Sequence, residues 1–196
     1  NRSPAKTQAW RARFPQGETC ASLEQLASEV DVVSLCVGND NDVRETVRAM
    51  LPYLKAGVII LDHTTTSSAL AQEMHALCAK HHVQFLDCPV SGGQAGAENG
   101  LLTIMCGGDE ATFERVRPIL AQYSQYQRHF GASGAGQGAK MVNQILVVNV
   151  LQGLAEGITL GKALGLDIEA LVDTLKRGAA NSWQLENRGL TMSEGK

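Results

Sequence analysis

The stretch "HFGASGAGQGAK", His129–Lys140, decides how the chain is read. Gly134, Gly136 and Ala139 fit the G-x-G-x-x-G/A fingerprint of a dinucleotide-binding loop, with a short apolar approach before it and a helix after. That fingerprint needs a second strand about 20 residues further on, ending in an acid that holds the ribose. None is legible here. From Lys140 to about Leu164 the pattern is helical, with Val142, Ile145, Leu146, Val148, Leu151, Leu154 and Ile158 spread over nearly every side and Glu156 in its middle. At 1.5 Å per residue such a helix is roughly 38 Å long. A helix apolar all round is expected to be buried all round, at an interface between domains or subunits. The glycines then serve close backbone approach at the helix entry. Lys140 falls on the first turn, where a cation works against the macrodipole.

Upstream of this stretch the pattern is different. "DVVSLCVG", "GVIILDH" and "VQFLDCPV" are apolar runs of strand length, as expected for strands buried on both faces. Helical segments "DVRETVRAMLPYL" and "SSALAQEMHALCAKH" separate them, so the order is β-α-β-α-β with short connections. That is a parallel, doubly wound α/β sheet of Rossmann type. Before it, Ser3-Pro4 opens a helix, "GETCA" reads as a short strand, and Ser22 caps "LEQLASE". After it come strand-like "LLTIMCGG" and "YQRHFG", with a helix between them capped by Asp109. Gly165 ends the long helix and Asp167 caps another. The expected organisation is a dinucleotide-binding domain over 1–133, N-terminally incomplete, and the beginning of a helical domain over 134–196. Ligands of such sheets lie outside the strand carboxyl ends, which here carry Val37-Gly38, Asp62-His63-Thr64-Thr65 and Pro89-Val90-Ser91.

Composition narrows the partners. The 196 residues are 44% hydrophobic and 19% charged with net charge −3, so nothing favours nucleic acid. The most apolar region carries Asn143, Gln144, Asn149, Gln152 and Glu156, which argues against a membrane span. Cys20, Cys36, Cys78, Cys88 and Cys106 are odd in number and form no C-x-x-C pair, as expected for reduced thiols in a cytoplasmic compartment.

Two segments carry chemistry. Ser91-Gly92-Gly93 offers a hydroxyl and successive N–H groups that suit a small carboxylate, or else it is an ordinary glycine turn. Lys140 in a partly buried cleft would have its pKa drawn down toward acid/base work, or else it is a solvated lysine. Together, "DCPVSGGQAGAENGLLTIMCGG" and "GASGAGQGAKMVNQ" resemble the substrate-binding and catalytic motifs of the β-hydroxyacid dehydrogenases, in the same order and separation. The resemblance covers essentially the whole chain. It implies an oxidoreductase acting on a small 3-hydroxy acid or its semialdehyde, with Lys140 as general acid/base. Ser91, Gly92 and Gly93 would hold the substrate carboxylate and Asn143 would orient the substrate; Gln144 stands where the family often has a second Asn. Val37 and Gly38 would line the adenosine side of the cofactor and Thr65 its nicotinamide end. Asn1, Arg2 and Ser3 resemble the end of the family's second strand, and an arginine beside a hydroxyl suits a 2′-phosphate, so NADP(H) is expected in preference to NAD(H).

The family's own glycine fingerprint would lie before Asn1 and most of its helical domain after Lys196. The sequence is therefore expected to be an internal portion of a longer chain that binds cofactor poorly by itself. The long apolar helix implies a homo-oligomer. A non-catalytic binding or scaffold module of the same fold is the competing class, and such relatives typically lose the lysine that stands here at 140.

Overall fold

The three apolar runs become the parallel strands β1 (Val32–Leu35), β2 (Ile59–Asp62) and β3 (Gln84–Asp87), paired in the order β1-β2-β3. The computed structural model describes residues 3–195. Side-chain alternation sends Ile60 and Phe85 to one face and Ile59, Leu61 and Leu86 to the other, and every one of them is buried. Each face has its own cover. On the first lie α2 (Leu23–Glu29), α3 (Asp40–Met50) and α4 (Ser68–Ala79), whose Val43, Val47, Leu70 and Met74 complete one core. On the second, Phe113, Val116 and Leu120 of α6 (Glu110–Leu120) pack with Ile104 of β5 (Leu102–Cys106). This is the expected doubly wound α/β sheet.

The chain then adds a second sheet of mixed strand direction. β4 (Val90–Ser91) pairs antiparallel with β5, which pairs parallel with β6 (Ser124–His129). The two three-stranded sheets meet where Asp87 and Gly107 exchange both backbone hydrogen bonds, at 3.1 and 2.8 Å. Between β4 and β5 sits the short helix α5 (Gly93–Glu98).

Three expectations about individual elements need correction, as does the burial expected of the long helix. Gly17–Ala21 forms no strand; Ala21 gives its N–H to Gln25 Oε1 at 2.9 Å while Ser22 Oγ accepts from Gln25 N. The end of the segment thus serves a reciprocal cap on α2, close to a capping box, and not a ladder. β1 is buried on one face only: Val33 and Leu35 pack in the first core, whereas Ser34 and Cys36 are exposed on the other face. Lastly, the long helix α7 (Ala135–Ala163) begins five residues before Lys140. The lysine therefore sits in the second turn, beyond the strongest part of the macrodipole, and Gly136 and Gly138 are themselves helical.

By packing, the chain divides into residues 1–140 and 141–196. In the second unit α8 (Ile168–Leu175), capped by Asp167, packs on α9 (Trp183–Ser193), where Gly189 lets Val172 approach. The apolar residues of α7 are not buried as expected. Ile145 and Leu146 are each 62% exposed, and Val142 and Val148 are also exposed. A single helix cannot cover its own circumference, and only Ile158 among its large apolar side chains is buried. By length and mean hydropathy (1.3) α7 is also apolar enough to cross a membrane.

Candidate active site

Asp87 ends a buried apolar strand, and a carboxylate there must find donors or lose its charge. It is fully buried, and it finds them at the start of α7. Oδ1 accepts from the Gly134 N–H at 2.8 Å and Oδ2 from the Gln137 N–H at 2.9 Å. These are groups that a helix N-terminus leaves unpaired, so Asp87 is the N-cap of α7 supplied from a different element. Burial raises the Asp87 carboxyl above its ordinary range, and the hydrogen bonds from Gly134 and Gln137 partly offset this. Gly136 answers the question of the glycines. A Cβ there would lie 2.5 Å from Met105 O, 2.7 Å from Asp87 O and 2.8 Å from Asp87 Oδ2. Gly134 adds a positive φ of 91°, with its carbonyl accepting from Ser68 Oγ at 3.0 Å. The glycines bring a helix onto a strand end, not a nucleotide onto a loop.

The carboxyl end of β2 is tied into the same place. Gln137 accepts from Thr66 N at 3.0 Å and donates to Thr64 O at 2.7 Å. Thr64 in turn donates its N–H to Asp62 Oδ1 and places Oγ1 3.0 Å from the Val37 N–H, which it accepts. Asp62 is buried, and desolvation pushes its carboxyl up to about 6. His63 is buried too. Its Nδ1–H donates to Cys88 O at 2.8 Å, so Nε2 accepts from the Tyr123 hydroxyl at 3.0 Å, and burial lowers its pKa. Neither Asp62, His63, Asp87 nor Gln137 was singled out from the sequence as a site residue. The signal existed for the two acids, since each closes an otherwise apolar strand.

The expected site residues fall as follows. Lys140 is 8% exposed, its pKa is lowered by burial, and among the described residues its ammonium has no hydrogen-bond or ion-pair partner. Thr65 is exposed between the buried Thr64 and Thr66, and the Thr66 hydroxyl is buried without a partner among the described residues. Ser91 pairs with Thr103, while Gly92 and Gly93 are exposed with φ of 129° and 61° and lead into α5. Asn143 Oδ1 is likewise buried without a partner among the described residues, whereas Gln144 is exposed. Ser3 and Val37 line one groove beside β1, and the exposed Gly38 gives its N–H to Asp42 Oδ2 at 3.2 Å. Asn1 and Arg2 lie outside the described residues. The strand ends carrying Val37 and Thr65 and the helix carrying Lys140 are joined by hydrogen bonds; no such bond joins Ser91 to them.

Known proteins share the sequence pattern and the fold. A family model described as the NAD binding domain of 6-phosphogluconate dehydrogenase matches residues 1–143. A second, described as NAD-binding of NADP-dependent 3-hydroxyisobutyrate dehydrogenase, matches 134–195. The chain belongs to the β-hydroxyacid dehydrogenase family. An uncharacterized oxidoreductase of Shewanella frigidimarina is 45% identical over the whole chain, which covers 68% of that protein. Among solved structures, the 3-hydroxyisobutyrate dehydrogenase of Mycobacterium tuberculosis with L-serine superimposes with a TM-score of 0.85 at 33% identity, covering 95% of this chain and 64% of that one. The Salmonella typhimurium 3-hydroxyisobutyrate dehydrogenase gives a TM-score of 0.85 at 30% identity, covering 100% of this chain and 69% of that one. The chain of this dehydrogenase family member thus spans about two thirds of the length of the relatives it matches.

The close fit at Gly136 has a measurable consequence. In an open helix Gly→Ala stabilises by ~1 kcal/mol. Gly136→Ala should instead destabilise by ~1–3 kcal/mol through overpacking, while Gly138→Ala, which meets nothing within 4 Å, should stabilise. Urea unfolding of both variants checks this; a stabilising Gly136→Ala would show that α7 does not press on Asp87.

Proposed function

We propose that the protein is a 3-hydroxyacid dehydrogenase that interconverts a small 3-hydroxy acid and its semialdehyde, using NADP(H) in preference to NAD(H). The observation that carries this reading is Lys140: a lysine only 8% exposed and with no acidic partner among the described residues, near a helix start pinned to the carboxyl ends of β2 and β3. Partial desolvation of an ammonium without a counter-charge carries a cost, and that cost is understandable where the group must give up and regain a proton.

When bound, the nicotinamide cofactor supplies or accepts the hydride. The groove lined by Ser3 and Val37, the exposed Thr65 and the unpartnered Thr66 hydroxyl fit such a group. Lys140 donates a proton to the substrate oxygen in reduction and removes it in oxidation. Burial favours its neutral form, which draws its pKa toward the working pH, where the group can both give and take a proton. Ser91 and the backbone N–H groups of Gly92 and Gly93, two exposed residues with positive φ, hold the carboxylate. Asn143, with its buried and unpartnered oxygen, takes a hydrogen bond from the substrate hydroxyl. Two anchors on one small molecule supply the orientation that hydride transfer needs. L-serine, bound by the M. tuberculosis relative, is itself a carboxylate with a 3-hydroxyl, which supports this substrate class. The five free cysteines support a reducing, cytoplasmic compartment.

We also assign the exposed apolar side chains of α7 to contact with a second copy of the protein. Asn143, Gln144, Asn149, Gln152 and Glu156 interrupt the helix in a way that lipid would not tolerate. Sedimentation at micromolar concentration should give an oligomer, and Ile145→Asp should dissociate it; a monomeric parent would contradict the assignment.

The acid/base role is tested in the intact protein. Lys140→Ala should lower kcat by about 10²–10⁴-fold, with NADPH affinity nearly unchanged; a variant keeping a tenth of the wild-type kcat, with chemistry rate-limiting, would refute it. Arg2→Ala should raise the KM for NADPH much more than that for NADH, and an equal effect on both would remove the case for a 2′-phosphate contact.

A further inference from the structure

Gln137 is the largest polar side chain in the protein to be fully buried among the described residues. It does more than fill space. A primary amide is a donor and an acceptor on one rigid plane, and Gln137 uses both ends on one short piece of backbone. Oε1 takes the N–H of Thr66 at 3.0 Å and Nε2 gives to the carbonyl of Thr64 at 2.7 Å. Between those two residues lies Thr65, whose side chain is exposed. Gln137 also gives its own backbone N–H to Asp87 Oδ2 at 2.9 Å. Three residues on, on the same side of α7, comes Lys140. One residue thus fixes the loop that carries Thr65, the end of β3 and the turn that carries the lysine.

We propose that Gln137 is a positioning residue that sets the separation between the Lys140 ammonium and the nicotinamide side of the cofactor, by locking the backbone on either side of Thr65 to the start of α7. This rests on the roles given above to Lys140 and Thr65 and deepens them. No other side-chain type does the same: Leu or Met at 137 leaves a buried N–H and a buried carbonyl unpaired, and Glu keeps the acceptor but loses the donor to Thr64. Pinning is needed because, among the described residues, Thr66 N and Thr64 O have no other partner to hold the loop's register against α7. A misplacement of about 1 Å at a reacting centre costs on the order of 10²-fold.

The test is a double-mutant cycle in the intact protein, read by single-turnover hydride transfer at saturating cofactor and substrate. Gln137→Met should slow transfer by roughly 10–100-fold, with the Kd for NADPH, from fluorescence titration, changing by no more than about threefold. Placed on Lys140→Ala, the same substitution should cost less than about threefold, because no ammonium remains to be misplaced. Gln137→Glu takes over the cycle if Gln137→Met does not fold. An equal loss in both backgrounds would overturn the proposal and leave Gln137 a packing residue. A second readout needs neither cofactor nor activity: hydrogen exchange at the Thr66 amide should be at least tenfold faster in Gln137→Met than in wild type. Wild-type exchange there would refute the lock itself. Faster exchange with a harmless Lys140→Ala would keep the lock and refute only the acid/base role.

Discussion

A buried carboxylate that must be satisfied is the constraint on which the site depends. Asp87 closes a strand that packs against both cores, so it cannot turn to water, and the N–H groups it needs are those of a helix that has just begun. Satisfying the acid and capping the helix are one event. It requires that nothing stand between Asp87 and the backbone of residues 134–137, and Gly136 meets this requirement by having no Cβ to meet Met105 O or Asp87. The position of Lys140 follows, since a helix pinned at its first turn carries its second turn to a defined place.

The same logic orders the strand ends. Asp62 and Asp87 end neighbouring strands in register, and each turns its carboxylate onto backbone N–H groups: Thr64 for one, Gly134 and Gln137 for the other. Gln137 then joins the two arrangements. His63 braces the next step, holding Cys88 O just before the chain crosses into β4 and the Ser91 loop. Polar groups with specified partners, not apolar packing, thus fix the geometry at the sheet's carboxyl edge, as expected where position matters more than stability.

Much of this was legible in the residues. The alternation of apolar runs with amphipathic helices carries the doubly wound sheet, and local caps at Ser22, Asp109 and Asp167 mark helix starts because each is read from its own three following residues. What could not be read depends on partners distant in sequence. The start of α7 was placed at Lys140 rather than Ala135 because its cap lies 47 residues upstream of Gly134, and glycines without that cap look like a loop. "GETCA" looked like a strand because β propensity is local, whereas pairing is not. The burial expected for α7 follows from its pattern only if the covering surface lies in the same chain. Lys140, Ser91 and Asn143 are proposed as site residues through the family motifs; Gln137 drew no such attention, since its bonds run to the distant residues 64 and 66.

The account turns on Asp87 as the cap of α7, and amide hydrogen exchange reads this directly. In the wild-type protein the Gly134 and Gln137 amides should exchange as slowly as those in the middle of β2. Asp87→Asn keeps the shape but offers one acceptor and a donor, so at least one of these two amides should exchange orders of magnitude faster while β2 stays protected. If both amides are already fast in the wild type, or are unchanged by Asp87→Asn, the helix start is held by something other than this carboxylate.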